Sequence, residues 1–185
     1  MKTVRRRGLP VIPRVVLRAA ADSDFVVLAE LRNNFAVQDA LLATGRPNSP
    51  ARVKAWLERR AADDEGVFFV IAATDDDRAL GFVQATGIDP LHRVAELGIC
   101  ITDVARGRGV GRQAIALLEE YLQRSFRTRK IWLRVDAGNT NAIALYGACG
   151  FQRVGVLSQH HYAGGRYRDV LIMEKLFAKQ RTTLQ

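Results

Sequence analysis

The run Arg106-Gly107-Arg108-Gly109-Val110-Gly111-Arg112 places three glycines and three arginines in seven positions. It lies between an alternating apolar stretch, Ala95 to Thr102, and an amphipathic stretch from Val110 to Leu122, so it reads as a strand-to-helix turn. Glycine lets the main chain approach a ligand closely, and the free amides at a helix start carry partial positive charge. Together with the arginines, this suits a pyrophosphate. On the preceding strand, alternation turns Leu97, Ile99 and Ile101 one way and Glu96, Gly98 and Cys100 the other. A carboxylate that shares its face with a glycine and a cysteine has open space beside it, as a proton acceptor requires.

Positioning these residues takes a strand, a turn and a helix, and the rest of the chain supplies a scaffold of the same kind. Arg14 to Ala19 reads as a first strand, followed by a helix to about Asn34 with N-cap candidates in Ala21-Asp22-Ser23-Asp24. Residues 36 to 49 end in the loop signal Gly45-Arg46-Pro47-Asn48, and Ser49-Pro50 opens a second helix whose Val53, Trp56 and Leu57 face the core. From Val67 the period becomes that of strands: Val67 to Thr74, a polar turn at Asp75-Asp76-Asp77, Ala79 to Ile88, and then the strand carrying Glu96. After the glycine turn comes a helix with a stripe of Val110, Ala114, Leu117, Leu118, Tyr121 and Leu122. Lys130 to Asp136 is a strand, Asn139 caps a short helix ended by Gly150, and Phe151 to Leu176 forms a closing hairpin turning at Gly164-Gly165. The order βααβββαβαββ predicts a single-domain α/β fold with a mixed, mostly antiparallel sheet flanked by helices.

Composition bounds the partners. With 48% hydrophobic residues among 185, the chain can fill one core, and 28 basic against 19 acidic residues give a net charge of +9. That charge favours an anionic ligand, nucleic acid or an acidic surface without choosing among them. Cys100 and Cys149 are far apart and lack a CxxC partner, so neither a disulfide framework nor a metal site is expected, and a reducing cytoplasm is the expected location. The basic start lacks the apolar segment of a secretion signal, and no run reaches the roughly 18 apolar residues that span a bilayer, so no membrane partner is expected. Residues 1 to 13 are expected to form a basic tail and residues 178 to 185 a C-terminal tail, around a domain of residues 14 to 177.

Two ligand classes compete for the glycine turn. Gly109 to Ala114 match GxGxxA, with Asp136 downstream at a strand end as in dinucleotide folds. Residues 103 to 108 separate the strand from the first glycine, however, and too little chain follows Asp136 to complete that sheet. Read as Arg-x-x-Gly-x-Gly from Arg106 to Gly111, the stretch resembles the acetyl-coenzyme A signature of the GNAT superfamily of N-acetyltransferases. The resemblance extends to Glu96 on the preceding strand, to Asn139-x-x-Ala142-x-x-Leu145-Tyr146 with Gly150-Phe151, and to Gly165-Arg166-Tyr167-Arg168-Asp169. The last is similar to the subgroup of spermidine, amino-sugar and ribosomal-protein N-terminal acetyltransferases.

The resemblance implies acetyl-CoA as cosubstrate, no metal, and direct transfer of acetyl to a primary amine within a ternary complex. Backbone amides of Arg106, Gly107, Arg108, Gly109, Val110 and Gly111, with the Arg108 and Arg112 side chains nearby, would hold the pyrophosphate. Main chain at Ile99, Cys100 and Ile101 would pair with the pantetheine arm, which Asn139 helps to hold. Glu96 would accept the amine proton, directly or through water, and the Tyr146 hydroxyl would protonate the leaving thiolate. The acceptor, a small-molecule or peptide amine, would lie near Phe35 to Ser49 and the hairpin around His160 to Tyr167, with Gln38, Asp39, Arg46, His160 and Tyr162 at hand. A homodimer is an admissible assembly.

Each residue also has a plainer reading. Glu96 can pair with Arg93 or Arg134, Tyr146 can be a core tyrosine, and Gly98 can relieve crowding at a strand bulge. Asn139 caps its helix in either case. His160-His161 is expected at an exposed strand end, Cys149 in packing, and Trp56 and Trp132 as buried anchors. The alternative from another class is a non-catalytic module of similar fold that binds nucleic acid or an acidic protein; the aromatics interleaved with basic residues that base stacking needs are not evident.

Overall fold

In the computed structural model, which describes residues 13–177, the strand and helix periods of the sequence become β1 (Val15–Arg18), α1 (Phe25–Asn33), α2 (Phe35–Ala40), α3 (Pro50–Ala61), β2 (Val67–Ala73), β3 (Ala79–Asp89), β4 (Val94–Ile101), α4 (Val110–Phe126), β5 (Lys130–Asp136), α5 (Thr140–Ala148), β6 (Gln152–Ala163) and β7 (Arg166–Leu176). Both expected tails lie outside the described residues, apart from Pro13. The seven strands form one sheet in the order β1-β2-β3-β4-β5-β7-β6. Neighbours run antiparallel throughout except β4 and β5, which are parallel.

Strand alternation divides the apolar side chains between two cores. On one face, Val110, Ala114, Ile115, Leu118 and Leu122 of α4 pack with α5 against Ile71, Val83, Leu97, Ile131 and Leu133. On the other, Leu28 and Leu31 of α1 and Val53 and Trp56 of α3 cover Val70, Phe82 and Cys100. Leu97 and Cys100, three residues apart on β4, thus lie in opposite cores, as alternation requires. Each fully buried large side chain contributes about 1.5–3 kcal/mol of apolar transfer, and Leu28, Ile115, Leu118 and Leu122 are all at 1% exposure or less.

Three expectations need correction. Residues 35–40 form a helix rather than an opening loop, capped by Asn34, whose side chain accepts from the Val37 amide at 3.2 Å. Phe35 therefore begins α2 and is exposed. In α4, Ile115 joins the buried stripe while Tyr121 stays exposed with its ring set edge-on to Phe69 at 5.0 Å. Trp132 is half-buried, unlike Trp56, which is buried among Phe68 and Phe82. Among the described residues, no helix is long and apolar enough to cross a membrane.

Candidate active site

The two parallel strands stay together only briefly. Val94, Ala95 and Glu96 pair with Lys130, Ile131 and Trp132, and beyond Glu96 the strands separate although each continues along its other neighbour. A parallel ladder that opens exposes unpaired main-chain groups on β4, and such groups need a partner. Here they face a cleft of about 1050 Å³. One wall is the glycine turn, the start of α4, and Asn139, Leu145 and Tyr146. The other comes from α1 to α3, and the floor is β4 itself.

The turn between β4 and α4 is fixed by its own side chains. Arg106 donates from Nε to the Ile101 carbonyl at 3.1 Å and pairs with Asp103 at 2.6 Å. Gly107 and Gly109 hold φ of 71° and 73°, the left-handed region that side chains resist. The first amide paired within α4 is that of Gln113, donating to the Gly109 carbonyl at 3.2 Å, so the amides before it are available to an anion. Arg112 donates to the Ala148 carbonyl at 3.3 Å and lines the cleft. Arg108 is exposed and lies outside the cleft wall. Gly111 has a different part: an added Cβ would stand 2.9 Å from both Ile101 Cδ1 and Leu145 Cδ2, so its smallness lets α4 seat against β4 and α5.

Asn139 caps α5 with its side-chain oxygen, which accepts from the Ala142 amide at 3.1 Å, leaving its NH₂ for the cleft. Nearly two turns into α5, Tyr146 is 7% exposed, and its ring lies 5.8 Å from that of Phe151. Among the described residues its hydroxyl has no hydrogen-bond partner. Burial, and to a lesser degree the neighbouring Cys100 and Cys149, push this phenol up to about 12. Cys100 is likewise pushed up to about 12, chiefly by burial, and burial also raises Cys149. Both thiols are free and uncharged, which makes them poor nucleophiles.

Glu96 stands where the strands part and accepts from Arg134 Nε at 2.9 Å, the pairing weighed from sequence. The carboxylate stays a quarter exposed and lines the cleft. Gly98 pairs regularly with Gln84 and sits at no bulge; its missing Cβ leaves room for the Gln84 side chain, which would be 3.0 Å away.

The expected acceptor residues separate. Gln38 is buried and ties the main chain of Arg32 and Arg46 together, a staple of the α2 loop. Asp39 pairs with His161 at 3.0 Å and Arg168 at 3.2 Å, and Arg168 also reaches the buried Asp136 at 3.1 Å. His161 is thus an anchored residue rather than an exposed strand end, turned inward by a register shift between Leu157 and His161. His160 and Tyr162 remain exposed. Of the closing hairpin, Arg166 and Arg168 line a smaller pocket of about 270 Å³ beside Asp39 and Asn139.

Sequence reasoning missed Arg32, Trp56, Arg60 and Gln84 in the cleft wall. A signal existed: Arg32 lies one turn after Leu28 and Arg60 one turn after Trp56, so both arginines occupy apolar stripes. Among the described residues, no group of three or more His, Cys, Asp or Glu gathers as a metal site.

Residues 14–152 match the acetyltransferase (GNAT) domain family. The chain is 35% identical over 100 residues to a spermidine N(1)-acetyltransferase of Vibrio cholerae, covering 54% of this chain and 58% of the relative. It is 31% identical over 124 residues to a phosphinothricin N-acetyltransferase of Alcaligenes faecalis, covering 65% and 62%. The chain therefore spans somewhat more than half the length of these curated relatives. In three dimensions it resembles the crystal structure of the Vibrio cholerae spermidine N-acetyltransferase in complex with CoA and spermine, with a TM-score of 0.81, 28% identity, and coverage of 88% of this chain and 95% of that one.

Proposed function

The chain belongs to the GNAT acetyltransferase family, and on that premise we propose that it moves acetyl from acetyl-CoA to a primary amine by direct attack in a ternary complex. The observation that carries this reading is the parting of β4 from β5 between a turn of free amides and a buried tyrosine facing the opening. The pyrophosphate would bind the amides from Gly107 to Arg112, with Arg112 beside them, while Arg106 holds the turn in shape. The pantetheine arm would run as a short extra strand along the side of β4 that β5 leaves, at Ile99, Cys100 and Ile101. The NH₂ of Asn139 would steady it.

In the reaction, the amine nitrogen attacks the thioester carbonyl carbon, the carbon–sulfur bond breaks, and coenzyme A leaves as its thiolate. Glu96 accepts the amine proton, directly or through one water, once the acceptor enters beside the Arg134 pair. Tyr146 donates a hydrogen bond to the thiolate, for which a phenol held neutral by burial is suited. Two neutral, poorly nucleophilic thiols favour direct transfer over an acetyl-cysteine intermediate. Two free cysteines also fit a reducing cytoplasm. The exposed Val154, Val156, Tyr162 and Tyr167 on the β6–β7 edge offer a surface for self-association as a homodimer.

Glu96→Gln tests the base. The general-base contribution is about 10²–10⁴ in rate, so turnover should fall by that order, most at low pH where least free amine is present. A variant whose pH–rate profile matches the parent removes Glu96 from the mechanism.

A further inference from the structure

The coenzyme accounts for the charge on one wall of the cleft but not on the other. Arg32 of α1 lays its guanidinium over the Trp56 ring, 4.8 Å from the centroid, and its buried Nε has no hydrogen-bond partner among the described residues. Among the described residues it has no carboxylate within ion-pair distance. Burial and the charges of Arg60, Arg52 and Arg59 lower its affinity for its own proton. Arg60 of α3, which also lines the cleft, has among the described residues only a long contact of 3.6 Å to Asp63. On the floor, Arg134 and Glu96 neutralise each other. The charged groups of this wall and floor are therefore three arginines against one carboxylate.

The arginine wall connects directly to the reacting strand. Trp56, beneath Arg32, stands 5.7 Å from Phe82, which pairs with Cys100 of β4, and the next inward pairs along β3 and β4 are Gln84 with Gly98 and Thr86 with Glu96. A polycation in this half would meet the Arg32 guanidinium, which among the described residues lacks a counter-charge and is partly withdrawn from water, an arrangement that is strongly unfavourable. A planar guanidinium on an aromatic face, with donors to spare, is instead a receptor for a carboxylate or a phosphoryl group.

We infer that the acceptor is an amine that also carries an anionic oxygen group, which Arg32, flanked by Arg60, holds on the wall opposite the pyrophosphate turn. This rests on the acetyl-transfer reading and names its substrate class. Charge selection at the acceptor is then set by α1 and α3, apart from the machinery that handles the thioester.

The test compares matched pairs at equal concentrations of free amine: leucine with leucinamide, ethanolamine phosphate with ethanolamine, and spermidine alone. Thiol release from acetyl-CoA gives kcat/KM, and calorimetry on the CoA complex gives acceptor affinity independently of turnover. The expected result is at least about a tenfold preference for one anionic member over its neutral partner; which pair shows it distinguishes a carboxylate from a phosphate acceptor. Arg32→Gln should bring that acceptor down to its neutral partner by raising KM, and Arg32→Lys should recover part of the preference, with acetyl-CoA affinity retained in both. Arg60→Gln, on a more exposed side chain, gives the same direction should Arg32→Gln not fold. Equal values within both pairs, a preference for spermidine, or a loss of acetyl-CoA affinity in Arg32→Gln overturns the inference. If no amine releases thiol, the acetyl-transfer reading fails, whereas the calorimetric comparison still decides whether an anion is preferred.

Discussion

Tyr146→Phe separates a chemical role from a structural one with unusual clarity, because the hydroxyl has no partner among the described residues while the ring is buried against Phe151. Phenylalanine keeps the ring and removes a phenol whose proton is held to about 12. A hydrogen bond to a charged group is worth about 1.5–3 kcal/mol, and 1.36 kcal/mol is tenfold in rate, so kcat should fall roughly 10- to 150-fold. The loss should appear in kcat with saturating acetyl-CoA, followed as thiol release, because the thiolate exists only as the thioester breaks. Acetyl-CoA affinity by calorimetry should stay within about twofold, and stability should change by less than about 0.5 kcal/mol, since no partner is orphaned. Across neutral pH the phenol stays protonated, so parent and variant profiles should run parallel. An unchanged kcat would refute the donor role. A fall in kcat matched by a fall in coenzyme affinity or melting temperature would show that the hydroxyl serves packing instead.

The glycines of the turn should respond in different ways: Gly111→Val, whose Cβ meets Ile101 and Leu145 at 2.9 Å, should cost about 1–3 kcal/mol by overpacking, read in a denaturant melt. Gly107→Ala, with no neighbour within 4 Å but a φ of 71°, should cost only about 1 kcal/mol of backbone strain. Asp24→Asn should destabilise by about 2–4 kcal/mol, since Asp24 is 3% exposed and accepts from Arg18 at 2.6 and 2.9 Å and from the Ala21 amide at 2.8 Å. The Arg18 hydrogen bond, first among the causes, holds the Asp24 carboxyl below its ordinary value, so its contribution is present above the unfolded value of about 3.9 and is lost as pH falls through the folded one. Parent and Asp24→Asn stabilities should therefore converge in acid, and a constant gap would contradict the linkage. The parent should give intersecting initial-rate lines, and Cys100→Ala and Cys149→Ala should each keep turnover within about fivefold, whereas parallel lines in the parent with turnover lost in either variant would point to a covalent acetyl-enzyme.

Much of this molecule is legible in local pattern, and what is not depends on distant pairing. Alternation on β4 separates Leu97 from Cys100 correctly because a strand has only two faces. The six residues of α2 escaped because the helix is too short to show a period, and because Asn34, its cap, also reads as the end of α1. The insertion of β7 between β5 and β6 cannot be read from element order, since a strand's second neighbour is chosen by long-range register. His161 looked exposed because its partner Asp39 is 122 residues away. Glu96 and Tyr146 were found through motif spacing and line one cleft. Arg32 and Arg60 were overlooked because a basic residue late in a helix reads as a dipole partner, although their positions on apolar stripes carried the opposite signal.

The central claim is that this cleft joins a thioester and an amine without an enzyme-bound acetyl group. Its most direct test is to incubate the protein with acetyl-CoA and the amine panel, measuring released thiol and acetylated amine together by mass spectrometry. The account predicts thiol release that depends on the amine and equals the acetylated product mole for mole. Thiol release without amine, or none with any amine at a concentration that saturates the protein with acetyl-CoA, would contradict it.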